Sequence, residues 1–260
     1  MVSEGMSYAK LGKHKDAMSF FDKALKADPT NMNALYNKGL SLIHLKKNKE
    51  AVMCFEKIIQ KEPNHIPALN NLGNLHAEQQ QFELALGFYE KALNTDPNYV
   101  PVIYNKGITE VGVGKYDEAL KCFNRVLSLE PENTSATYFK GLVLGKQKKH
   151  DDALSCFDKV IESEPENFEA IFYKATSLAE LGKHQDAIAL FDKVLKNSPK
   201  NGTVIYSKAR SKAELGEDRE ALELLAQAIL YYGKTIKGWA TKDSAFNRLK
   251  DDLRFRAVVK

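Results

Sequence analysis

Cysteine, tryptophan and long apolar runs are scarce in this chain. Three cysteines and one tryptophan occur in 260 residues. Cys54, Cys122 and Cys156 are spaced by 68 and 34 positions, so no close pair suggests a disulfide or a metal site. The odd count fits a reducing compartment. No apolar leader opens the chain, and no apolar run approaches the ~20 residues that span a bilayer. The expectation is a soluble, cytoplasmic protein with no membrane partner. The balance of 38 basic and 34 acidic residues leaves a formal charge of +4, too mild to call for nucleic acid. Catalytic signatures are missing as well: there is no glycine-rich phosphate loop, no HExxH and no CxxC. No residue stands out as catalytic, as a metal ligand or as a cofactor contact, so the chain is not expected to be an enzyme.

What the chain does have is a period of 34. Phe21, Phe55, Tyr89, Phe123, Phe157, Phe191 and Leu225 follow it, and so do Ala17, Ala51, Ala85, Ala119, Ala153, Ala187 and Ala221. Pro29, Pro63, Pro97, Pro131, Pro165 and Pro199 form a third column that ends in Gly233. Gly5, Gly39, Gly73, Gly107 and Gly141 form a fourth, continued by Ala175 and Ala209. Within one period, apolar residues recur at helical spacing up to a break such as Gly114-Lys115-Tyr116. A second amphipathic run then follows and stops at the proline. Each period is therefore a helical hairpin, helix A followed by helix B. The small column lies where helix B must approach closely. Acidic residues open helix B and basic ones close it, which complements the helix dipole. Most of the charge thus serves the helices themselves.

These columns and their period resemble the tetratricopeptide repeat. The resemblance implies an all-α, right-handed superhelical solenoid of antiparallel helix pairs. Seven hairpins are expected over residues 1–235, divided as 1–31, 32–65, 66–99, 100–133, 134–167, 168–201 and 202–235. Capping helices are expected over 236–260, where Phe246, Leu249, Leu253, Phe255, Val258 and Val259 can cover the last hairpin. Only four residues precede Gly5, so the first hairpin reads as truncated and the natural chain as continuing upstream. His14, His150 and His184 recur at the A–B corner and read as packing residues.

The resemblance also implies function: a protein-interaction scaffold whose A helices line a concave groove for an extended peptide or a helix of a partner protein. Three residues before the small site stand Tyr36, Asn70, Tyr104, Tyr138, Phe172 and Tyr206. Two before it stand Asn37, Asn71, Asn105, Phe139, Tyr173 and Ser207. Candidate main-chain contacts are Asn37, Asn71, Asn74 and Asn105, because one amide both donates and accepts. Asparagine in this column serves inter-helix packing equally well. Candidate apolar anchors are Tyr104, Tyr138, Phe172 and Tyr206. Gly112 and Gly145, inside A helices, either make room for a ligand or are simply tolerated. The carboxylate clamp of the family is absent, since no repeat has the required lysine-asparagine pair. Lys38, Lys106, Lys140, Lys174 and Lys208 form a column that is either a basic stripe or a set of packing stems whose ammoniums reach neighbouring carboxylates. Two alternatives stand beside the scaffold: a targeting arm of a larger enzyme such as a glycosyltransferase, and a self-associating assembly module.

Overall fold

A computed structural model describes residues 1–260 and contains helices and turns only. Two compact units divide at Pro131. The first unit holds four helix pairs: α1 (Val2–Lys10) with α2 (His14–Ala27), α3 (Met32–His44) with α4 (Asn48–Lys61), α5 (Ile66–Glu78) with α6 (Phe82–Thr95), and α7 (Val100–Gly112) with α8 (Tyr116–Leu129). Odd-numbered helices are the A members and even-numbered the B members of each pair. The second unit holds α9 (Thr134–Lys146) with α10 (His150–Ser163), α11 (Phe168–Glu180) with α12 (His184–Asn197), and α13 (Gly202–Glu214) with α14 (Asp218–Tyr232). Behind these come α15 (Lys234–Ala240), a 3₁₀ turn over Ser244–Leu249 and α16 (Leu253–Val259). No helix is long and apolar enough to cross a membrane.

The same local devices build every pair. At each A–B corner one residue adopts the left-handed conformation. Gly12, Gly114, Gly182 and Gly216 do so, as do Lys46, Gln80 and Lys148, all three at φ near +60°. The next N–H then reaches back five residues in a Schellman closure, as in Lys47 N to Leu42 O at 2.8 Å and Lys115 N to Glu110 O at 2.9 Å. At the B–A junctions asparagine caps the next helix. Asn31, Asn133, Asn167 and Asn201 accept from the backbone N–H three residues on, and His65 Nδ1 does the same for Ala68.

The small column and the aromatic column meet. Phe21, Phe55, Phe123 and Phe191 are fully buried, with Tyr89 and Phe157 nearly so. In each of the first five pairs a Cβ on the small-site glycine would collide with the ring on helix B, for example with Phe55 at Gly39. Alanine in the B column is wholly buried throughout. Behind the seventh pair, Ile236, Phe246, Leu249 and Phe255 join one buried cluster with Tyr206, Ala209, Leu222 and Leu225. Leu253, by contrast, stays exposed. Asp243 fastens this segment: it accepts from Tyr206 OH at 2.6 Å and pairs with Arg210 Nε at 2.6 Å.

Candidate functional site

In the first unit the A helices set an amide-rich surface, and it is already cross-linked. Asn71 Nδ2 donates to Tyr36 OH at 3.2 Å and to Pro67 O at 2.8 Å. Asn105 Nδ2 donates to Asn70 Oδ1 at 3.0 Å. Asn37 Nδ2 turns back on Asn33 O at 2.8 Å. Asn74 Oδ1 accepts from Tyr89 OH at 2.7 Å, and burial pushes that phenol up to about 12, so it remains a donor. The two bonds between neighbouring A helices join residues 35 apart, the column three before one small site to the column two before the next. All four candidate asparagines nonetheless remain partly exposed. Each keeps one amide atom beyond these bonds: Oδ1 in Asn37, Asn71 and Asn105, and Nδ2 in Asn74. Tyr104 is also half-buried, edge-on to Phe123 with ring centres 6.1 Å apart.

In the second unit the same columns are aromatic. Tyr138 meets Phe139 at 5.4 Å and Tyr173 at 6.1 Å between ring centres, and Phe172 meets Tyr173 at 5.2 Å. All four rings are partly exposed. Burial also raises the Tyr138 hydroxyl well above the usual phenol range. These edge-to-face contacts hold the rings as a preorganised surface.

Tyr206 does not belong to that surface. It was expected among the open anchors, but it is only 6% exposed. Trp239 and Phe246 lie against it at 5.5 and 6.0 Å, and its hydroxyl is spent on Asp243. Chain outside the 34-residue pattern covers the column at this one repeat.

The lysine column is an ion-pair column. Lys38 meets Asp22 at 2.6 Å, Lys106 meets Glu90 at 3.4 Å, Lys174 meets Asp158 at 2.5 Å and Lys208 meets Asp192 at 2.5 Å. Each partner stands 16 positions earlier, on the preceding B helix, and the lysine stems are largely covered. At Lys140 that position holds Asn124 instead of an acid. No basic stripe results, because four of the five lysines are matched by an acid. Gly112 and Gly145 are not mid-helix either: Gly112 ends α7 and Gly145 is the penultimate residue of α9. A Cβ on Gly145 would meet nothing within 4 Å, and one on Gly112 would touch only Phe82.

The remaining sequence candidates stay structural. His14 stacks on His44 at 4.2 Å, and burial followed by the neighbouring imidazole lowers its pKa. The three cysteines are free, and burial raises each thiol, Cys122 to about 11. A feature missed in the sequence is Glu110, 5% exposed on α7, whose carboxyl is raised by burial. Its column holds Leu42, Leu144 and Leu178 in three repeats but His76 and Lys212 in two others, so the column alone did not mark it.

With this geometry in hand, comparison with known proteins gives one answer. Models described as tetratricopeptide repeat match residues 104–154, 140–202 and 178–242, and that for the N-terminal TPR repeats region of Psidin matches 8–106. A tetratricopeptide repeat protein from Parabacteroides merdae ATCC 43184 superposes with TM-score 0.69 at 19% identity, covering 91% of this chain and 94% of that one. PilW, a widely conserved type IV pilus biogenesis factor, gives TM-score 0.69 at 23% identity, over 76% of this chain and 92% of its own. YrrB, a TPR protein with an unusual peptide-binding site, gives TM-score 0.60 at 28% identity, over 73% of this chain and 98% of its own. Among curated proteins none matches. The architecture is an all-α solenoid of antiparallel helix pairs, and the chain belongs to the tetratricopeptide repeat family.

Proposed function

We propose that this protein is an interaction scaffold that holds an extended segment or a helix of a partner protein against its A helices. One observation carries the reading. The columns two and three before the small site hold partly exposed amides and rings in the first unit and partly exposed rings in the second, while Tyr206 in the last pair is covered by the chain itself. Asn37, Asn71, Asn74 and Asn105 would address the partner's main chain, and Tyr104, Tyr138 and Phe172 would give apolar area with little rotamer entropy to lose. That YrrB, at 28% identity, has a peptide-binding site supports the same use of the fold here.

The test is capture of partner proteins by the wild type and by an Asn37→Ala/Asn71→Ala/Asn105→Ala variant, with thermal melts of both. Loss of captured species with the fold retained is the expected result. Equal capture by both would remove the amide row from the function. Self-association is a second reading, favoured by Leu11, 73% exposed, beside Met6 and Tyr8 on α1. Light scattering across a concentration series separates it: a constant monomer mass discards it.

A further inference from the structure

The aromatic surface of the second unit runs into a cleft of about 600 Å³, enclosed by α11, the end of α12, the start of α13 and the last turn of α14. That size is within the ~300–1,000 Å³ of pockets that hold small ligands or side chains. Its apolar lining includes Phe168, Phe172, Tyr173 and Tyr232. Two carboxylates, Glu166 and Glu169, stand on its rim, and no basic residue lines it. Of the lysines on the bounding helices, Lys174 pairs with Asp158 at 2.5 Å, while Lys193 Nζ lies 3.5 Å from Pro165 O, beside Glu166 on the rim.

Two helix N-termini, those of α11 and α13, also reach the cleft. Asn167 Oδ1 takes the Ala170 N–H at 2.9 Å, and Asn201 Oδ1 takes the Val204 N–H at 3.2 Å. Each cap satisfies one of the N–H groups at its helix start, and the carbonyl end of α12, at Asn197 and Ser198, sets negative potential against them. The cleft therefore combines ring faces, unpaired carboxylates and carbonyl dipoles, and all three attract a cation.

The geometry points to this cleft as the place where a partner segment inserts an arginine side chain. A planar guanidinium stacks on Phe172, Tyr173 or Tyr232 while its N–H fork reaches Glu166 and Glu169; a lysine ammonium satisfies the charge but not the stacking. This deepens the scaffold reading and rests on it: the partner is identified as an arginine-bearing extended segment, where the amide row alone accepts any sequence.

The probes are four blocked octapeptides of alanine and serine carrying a central pair of arginines, lysines, glutamines or glutamates. Each is titrated into the full chain and followed by backbone amide chemical shifts. The arginine peptide should perturb amides of residues 166–173 and 201–204 and bind at least about tenfold more tightly than the glutamine or glutamate peptide. Glu166→Gln/Glu169→Gln should remove that advantage and leave glutamine-peptide binding unchanged; both side chains are exposed, so the fold is retained. Equal affinity for arginine and glutamate peptides, shifts confined to other helices, or an unaltered arginine affinity in the double variant would each overturn the inference. In those cases continued peptide binding along α9 and α11 keeps the scaffold reading. Absence of any peptide-induced shift on the A helices overturns both.

Discussion

Replacing Gly73 by alanine sets effects of known size against one another. In a helix interior alanine is about 1 kcal/mol better than glycine, so propensity alone predicts stabilisation. The fold predicts the reverse. A Cβ at Gly73 would stand 2.7 Å from Tyr89 Cδ1 and 2.8 Å from Cζ, with Cε1 nearer still, about an ångström inside van der Waals contact. Tyr89 cannot slide freely: it is 1% exposed, and its hydroxyl is fixed on Asn74 Oδ1 at 2.7 Å. Overpacking costs about 1–3 kcal/mol and losing the hydroxyl bond about 1 more. Against the propensity gain, Gly73→Ala should be net destabilising by about 1–3 kcal/mol, a fall of roughly 2–12 °C in melting temperature for a chain of this size. Far-UV circular dichroism during heating and urea titration reads it. A double-mutant cycle isolates the cause, because Tyr89→Phe frees the ring and should make Gly73→Ala less costly. The repeat with Ala175 opposite Phe191 shows that an unpinned ring admits the methyl group. A Gly73→Ala protein as stable as the wild type, or a cost unchanged by Tyr89→Phe, would refute the reasoning.

Gly145→Ala should move the other way, gaining about 0.5–1 kcal/mol in the same melts, because its new methyl group meets nothing within 4 Å; destabilisation would contradict the open geometry. Phe246→Ala should cost about 3–5 kcal/mol and expose residues 234–260 to limited proteolysis, since the ring is fully buried; unchanged resistance would show that the segment is held by other contacts. The His14 pKa is depressed in the fold, so the folded state disfavours the proton. This contribution is fully present above the ordinary imidazole value of about 6.5 and is lost as pH falls from there through the lower value in the fold. Melting temperatures of wild type and His14→Asn should therefore converge, or the variant overtake, on acidification; parallel curves would oppose this. Thiol-reactive dyes at mildly alkaline pH should label folded Cys122 about tenfold more slowly than the unfolded chain, because burial raises its thiol to about 11 while the thiolate gains some nucleophilicity; labelling at the unfolded rate would show the site to be open.

The period fixes which residues are equivalent, and that is why the glycine, alanine and aromatic columns were legible before any coordinates. It does not fix which columns touch. The contact between neighbouring A helices joins residues 35 apart, as in Tyr36 with Asn71, Asn70 with Asn105 and Tyr138 with Tyr173. The lysine column finds its acids 16 residues back. That second offset was readable, since Asp22, Glu90, Asp158 and Asp192 stand in the sequence at that step, whereas Asn124 breaks it at Lys140. Tyr206 was not readable in the same way, because Asp243 and Trp239 belong to chain outside the period.

The inter-helix bonds also sharpen what the amide row can hold. Asn71 spends both Nδ2 hydrogens on intramolecular acceptors and Asn37 and Asn105 spend one each, so the group all three retain in common is an acceptor, Oδ1, with one further N–H left on Asn37 and on Asn105. The row repeats every 34 residues along the A helices of the first unit and asks for N–H groups from a visitor. An extended segment supplies these along one edge of its backbone, whereas a regular helix has spent them on itself except in its first turn. Within the scaffold reading, the first unit therefore discriminates in favour of an extended partner. N-methylation of alternate peptide nitrogens should abolish binding there if the amides are the contacts, and should leave it intact if Asn37, Asn71 and Asn105 serve packing alone.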